Sequence, residues 1–112
     1  MRRGDLVTVA LTVALSGDYG KPRPALVIQS DFLPETDSVL VCLLTTMLRP
    51  APLYRLSLPA GEGTGLREPS QVMVDKIIAV RRDRCGAPIG RVDDAALLAL
   101  GRLLAFVVGI AD

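Results

Sequence analysis

Histidine is absent from this chain of 112 residues, and so is tryptophan. The first absence removes the side chain most used for proton transfer near neutral pH, which is also the commonest metal ligand. Two tyrosines and two phenylalanines are the only aromatic residues, so any core has to be aliphatic. Cysteine is scarce too: Cys42 and Cys85 lie far apart, in no metal-ligand spacing. Cys42 stands in an apolar stretch and reads as core. Cys85 stands in a polar one and reads as a free thiol, with a disulfide between the two left open. Charge excess is missing as well, with 13 basic against 12 acidic residues and a formal net charge of +1. A protein that coats nucleic acid through bulk charge carries far more, so any such contact would rest on individually placed arginines. The longest apolar run, near the C-terminus, is too short to read as membrane-spanning and carries Arg102. The charged start Met1-Arg2-Arg3-Gly4-Asp5 leads into no proper apolar signal segment. A soluble cytoplasmic protein that needs neither metal nor cofactor is expected.

What the chain has is hydrophobicity: half its residues. That suffices for one domain over residues 1–112 with an unstapled core. Residues 6–15 alternate β-branched and small side chains and predict a strand, followed by a loop over 16–20. Further strands are expected over 24–29, 38–46, 53–58 and 71–80, with a glycine-rich loop over 59–69. The run 38–46 is nearly all apolar, as a central strand would be; 53–58 alternates and reads as half exposed. After Asp93 the pattern changes. Asp93-Asp94 offers an N-cap to a stretch rich in alanine and leucine, so a C-terminal helix follows. Leu97, Leu100, Leu104 and Val107 mark one face, yet Leu98, Leu103, Phe106 and Val108 fill much of the rest. A surface helix keeps a broader polar face than this, so a second subunit is expected against it. Short strands and one terminal helix predict a mainly β fold, a small barrel or curled sheet.

The segment Lys21-Pro22-Arg23-Pro24-Ala25-Leu26-Val27-Ile28-Gln29 places an arginine between two prolines at the start of a strand. Proline fixes its own φ and biases the preceding residue toward extended geometry. Arg23 is thereby held extended at the strand's lip. A guanidinium fixed there suits a phosphate, and equally a carboxylate at a barrel rim.

Several stretches, in order and over nearly the whole chain, resemble the MazF/PemK family of toxin endoribonucleases, the mRNA interferases. They are Arg3-Gly4-Asp5-Leu6-Val7, Arg23-Pro24-Ala25-Leu26-Val27, and Val41-Cys42-Leu43-Leu44-Thr45-Thr46. Ser70-Gln71-Val72-Met73-Val74-Asp75-Lys76-Ile77 and Ile89-Gly90-Arg91-Val92-Asp93-Asp94 complete the set. The resemblance implies a small SH3-like β-barrel (CcdB/MazF-like) with a C-terminal α-helix, acting as a homodimer. It implies metal-independent, sequence-selective cleavage of single-stranded RNA, leaving 2′,3′-cyclic phosphate and 5′-hydroxyl ends, and silencing by a cognate antitoxin. Arg23 would hold the scissile phosphate and stabilise the oxyanion, and Thr45 would donate a hydrogen bond to it. Asp18 stands where many relatives carry a glutamate base. Tyr19, Lys21, Thr46, Ser70, Asp75 and Arg81 would contact the substrate. The family's arginine two residues before Asp75 is Met73 here, which removes one version of the acid–base pair. A CcdB-like gyrase poison is the alternative. Such proteins depend on Trp-Gly-Ile near the chain's end, where this chain has Val108-Gly109-Ile110.

Overall fold

The computed structural model describes residues 1–11, 21–33 and 36–111. In order, the elements are β1 (Asp5–Val9), β2 (Arg23–Val27), β3 (Ser38–Thr45), β4 (Arg55–Leu58), β5 (Ser70–Arg81), a 3-10 turn (Arg82–Arg84), β6 (Gly90–Arg91) and α1 (Asp94–Val107). The strands form one six-stranded antiparallel sheet in the order β4-β5-β3-β2-β1-β6. It is a curled half-barrel, and β4 and β6 are its edges. The expected strand over 6–15 is described only to Leu11. Its last residues, with Asp18 and Tyr19, lie outside the described residues.

Alternation sorts the apolar residues onto two faces. Leu6, Leu26, Ile28, Cys42 and Leu44 face the helix and pack with Val72, Val74, Val92 and Leu100. Val7, Val9, Ala25, Val27, Val39 and Val41 form a second cluster with Leu11 and Val80 on the other face. Strand β5 serves both clusters because its register breaks. Cys42 pairs with Ile77 while Leu44 pairs with Val72, so Leu43 alone stands against residues 73–76. The excess on β5 is odd, and an odd excess reverses which alternate residues face the core. Valines at 72 and 74 are therefore followed by an inward Ile77, and Asp75 and Lys76 are left exposed in the bulge.

The helix begins as predicted. The Asp93 carboxylate caps it, accepting from the Ala96 amide at 2.8 Å. Leu100 is fully buried, with Ala96, Leu97, Leu103, Leu104 and Val107 packed around it. Leu103 thus joins the inward face, whereas Leu98, Phe106 and Val108 stay exposed. Strand β6, only two residues long, has no signal in the sequence; it exists because Arg91 and Asp5 pair across it. Arg91 Nη1 donates to Asp5 Oδ1 at 2.9 Å and to the Arg3 carbonyl at 2.9 Å, while Asp5 Oδ2 accepts the Arg2 amide at 2.8 Å. The Asp5 side chain is 9 % exposed. Asp5→Ala should therefore lower stability by about 2–3 kcal/mol, since it strands a half-buried guanidinium and a backbone N–H. Urea unfolding reads the loss; a change below about 0.5 kcal/mol, ordinary for surface sites, would contradict it.

Candidate functional site

The site grows from strand register. Val9 pairs with Arg23, and the β2–β3 pairing of Ala25 with Leu43, continued by two residues, sets Arg23 opposite Thr45. Thr45 pairs with Gln71, and Gln71 with Ser57. Residues directly opposite one another present their side chains on the same face, with Cβ atoms about 4.5–5.5 Å apart. Arg23, Thr45, Gln71 and Ser57 therefore make a polar row across one end of β2, β3, β5 and β4. This row ends the apolar stripe of Ala25, Val27, Val39 and Val41.

Arg23 is half-buried, and Lys21, two residues upstream, is exposed. Thr45 Oγ1 accepts the Met47 amide at 3.1 Å, which turns the chain out of β3 and leaves the hydroxyl proton to donate elsewhere. Thr46 is exposed on the opposite parity, as strand alternation requires. Ser70 is not brought to the row. It is buried opposite Leu58 and donates to the Glu68 carbonyl at 3.0 Å. Arg81 is not brought there either. It pairs with Ser38 at the other end of β3, roughly 20 Å from Thr45 along the strand, and holds Asp83 at 2.7 Å. Asp75 sits in the bulge, four residues along β5 from Gln71.

Gln71, Arg49, Arg55 and Ser57 are polar residues that sequence reading did not single out. The Gln71 amide pairs with the backbone of one residue in both directions: Oε1 accepts the Arg49 N–H at 3.0 Å, and Nε2 donates to the Arg49 carbonyl at 2.9 Å. The loop over 46–54 is thereby tied to the sheet beside Thr45. The stretch 53–58 is half exposed, as its alternation predicts, with Leu53, Tyr54 and Ser57 exposed, but that loop folds over Arg55 and leaves it 9 % exposed. Its Nη1 donates to Gln71 Oε1 at 3.1 Å and to the Met47 carbonyl at 3.3 Å. The signal available beforehand was slight: a lone glutamine heading an apolar strand.

Both cysteines are free, Cys42 buried and Cys85 partly so. Burial, with the Asp75 carboxylate nearby, pushes the Cys42 thiol up to about 12 from an ordinary 9.0. Burial also raises Cys85, which bridges to Val9 beside Arg23; Asp83 pushes the same way and Arg82 opposes. Between pH 9.0 and about 12 the unfolded chain gives up the Cys42 proton and the folded one keeps it. Stability should then fall by about 1.4 kcal/mol per pH unit across that window and be untouched below it. Urea titrations of wild type and Cys42→Ala would check this. An equal alkaline slope in both proteins contradicts it.

No group of three or more cysteine, aspartate or glutamate side chains that could hold a metal ion occurs among the described residues. A curled antiparallel sheet with a C-terminal helix on one face, and an arginine beside a threonine at the sheet's end, defines a CcdB/MazF-like small β protein. The chain belongs to the PemK-like, MazF-like toxins of type II toxin–antitoxin systems, the family profile matching residues 2–108. It is 39 % identical over 111 residues to the probable endoribonuclease MazF of Mycolicibacterium smegmatis, covering 99 % of each chain. Among solved structures it resembles the Mycobacterium tuberculosis toxin MazF-mt6, with a TM-score of 0.77 at 22 % identity over 94 % of this chain and 96 % of that one. MazE–MazF of Deinococcus radiodurans (Form-II) gives a TM-score of 0.79 at 22 % identity over 99 % and 97 %. A mycobacterial endoribonuclease solved with its cognate antitoxin gives 0.78 at 22 % identity over 100 % and 98 %. These likenesses support the fold expected from the sequence.

Proposed function

We propose that this chain is the ribonuclease toxin of a type II pair, cutting single-stranded RNA at short sequences by attack of a ribose 2′-hydroxyl on its own 3′-phosphate. The observation that carries the reading is Arg23 and Thr45 set side by side by register in a member of this toxin family. The new bond joins the 2′-oxygen to phosphorus and the bond to the 5′-oxygen breaks, giving a 2′,3′-cyclic phosphate and a 5′-hydroxyl. Arg23 presents a planar set of N–H donors to the phosphoryl oxygens, and Thr45 donates its hydroxyl proton to the same group. The 2′-hydroxyl proton leaves to a carboxylate or water, and the 5′-oxygen regains one. Asp18 is the carboxylate nearest in sequence to Arg23. No step requires a metal. Lys21 and Thr46 border the row from exposed positions, and Tyr19, outside the described residues, remains a base-stacking candidate. Ser70 enters as a support that shapes the backbone beside Gln71. Asp75 and Arg81 would reach RNA only at a distance from Thr45.

The partners of this reading are a cognate antitoxin, single-stranded RNA and a second copy of the chain, and its setting is the cytoplasm. Exposed Leu98, Phe106, Val108 and Ile110 on and beyond α1, the last 81 % exposed, support the dimer. No helix among the described residues is long and apolar enough to cross a membrane. The test is incubation of purified protein with a long, partly unstructured RNA in EDTA, followed by end labelling. Discrete fragments with 5′-hydroxyl ends support the reading. Intact RNA at every sequence, or cleavage only on adding a divalent metal, sinks it.

A further inference from the structure

The polar row does not stop at Gln71. Beyond it, between the 46–54 loop, β4 and α1, lies an open groove of about 430 Å³. Its charged side chains are Arg49, Arg55 and Arg102, joined by Ser57 and Gln71, and no acidic residue among those described lines it. Arg55 is the unusual member. It is more than nine-tenths buried; among the described residues its side-chain hydrogen bonds run from Nη1 to a carbonyl and an amide oxygen, and its buried Nε has no partner. With no carboxylate beside it among the described residues, this buried guanidinium is an uncompensated charge there, and it retains donors that a phosphate accepts in pairs.

We propose that this groove is a second phosphate subsite for the RNA strand, with Arg55 as its fixed cation and Arg49 and Arg102 as its mobile ones. The inference rests on the ribonuclease reading and deepens it. Gln71 is the link, since its side chain stands opposite Thr45 while its Oε1 holds Arg55 and the backbone of Arg49. Two strand spacings, roughly 10 Å, separate Thr45 from Ser57 at the groove's edge. One RNA strand crosses such a span within a few nucleotides. The continuity of the row with Arg23 and Thr45 is what favours a nucleic-acid phosphate over a protein carboxylate.

The probe is a fluorescent single-stranded RNA of mixed sequence, about 12 nucleotides long and 2′-O-methylated so that the attacking hydroxyl is gone. Anisotropy across a salt series compares wild type with Arg55→Met and with the double variant Arg49→Gln/Arg102→Gln. Each variant should bind roughly ten-fold more weakly or worse. The double variant, having lost two phosphate contacts, should also show a log K against log salt slope shallower by about 1.4. Arg55→Met should keep or raise the melting temperature, because it removes a buried unpaired charge. If it does not fold, the double variant of two exposed residues decides. Affinity and slope unchanged in the double variant overturn the subsite. If wild type still cleaves RNA and Arg23→Ala does not, the ribonuclease reading survives that failure. Loss of poly-glutamate binding with RNA binding intact also overturns the subsite, reassigning the groove to protein carboxylates. Wild type that neither binds nor cuts RNA overturns both.

Discussion

Arg23→Ala should cut the rate of RNA cleavage by at least about 10²–10³-fold while the protein stays folded. That is the range lost when one preorganised donor to a developing oxyanion is removed. The two prolines flanking Arg23 hold the backbone extended, and β1 pairs with it through Val9, so the strand does not depend on the guanidinium. The charge on the phosphoryl oxygens grows toward the transition state, so the loss should fall mainly on kcat and less on KM. Arg23→Lys tests the geometry: it keeps the charge but presents no planar fork, so activity should recover only in part. Thr45→Val keeps the β-branched shape in the strand and removes only the hydroxyl, so its smaller loss should also appear in kcat. Single-turnover cleavage with melting temperatures alongside checks all three. Equal activity in Arg23→Ala and wild type would remove Arg23 from the chemistry. A kcat loss matched by a collapsed melting temperature would make it a structural residue.

The existence of β1, β2 and β3 and the Asp93 cap were legible because each is written within a few consecutive residues. The proline-flanked Arg23 was legible for the same reason. What stayed hidden depends on chain segments far apart. Arg91 reaches Asp5 across 86 residues of sequence and Gln71 grips Arg49 across 22, and neither contact leaves a local pattern. The bulge in β5 was hidden differently. Its valines and isoleucines read as one regular strand, and only the pairing with β3 shows that inward residues pass from even to odd numbers. The burial of Arg55 was hidden for a related reason. Alternation correctly put the residue on the face away from the helix, but the loop that buries it there is pinned by Gln71 from another strand. The resemblance to a toxin family supplied Thr45, which composition alone leaves as one more β-branched strand residue.

Gly90→Ala should be among the most destabilising single substitutions in the molecule, at about 3 kcal/mol or more out of a total of roughly 5–15. Strand β6 lies under the loop over 61–65, backbone against backbone. A Cβ on Gly90 would stand 2.1 Å from the Thr64 carbonyl oxygen and 2.2 Å from its carbon. Gly65 meets the same contact from the other side: its Cβ would lie 2.0 Å from the Ile89 carbonyl oxygen, and its φ of +72° adds backbone strain. These neighbours are peptide atoms, so no side chain can swing away to make room. Nor is the loop free to lift. The Arg91 amide donates to the Gly63 carbonyl at 2.9 Å, Gly65 to Gly61 at 2.8 Å, and buried Thr64 to the Pro59 carbonyl at 2.7 Å. Lifting it would break these bonds and loosen the Asp5–Arg91 pair that fixes β6 to β1. Gly63→Ala is the control. A Cβ there meets nothing within 4 Å, so it should move stability by no more than about 0.5 kcal/mol. Urea midpoints for Gly90→Ala, Gly65→Ala and Gly63→Ala, with slopes compared, separate the cases. Gly90→Ala as stable as Gly63→Ala would mean that the 61–65 loop does not rest on β6 in solution.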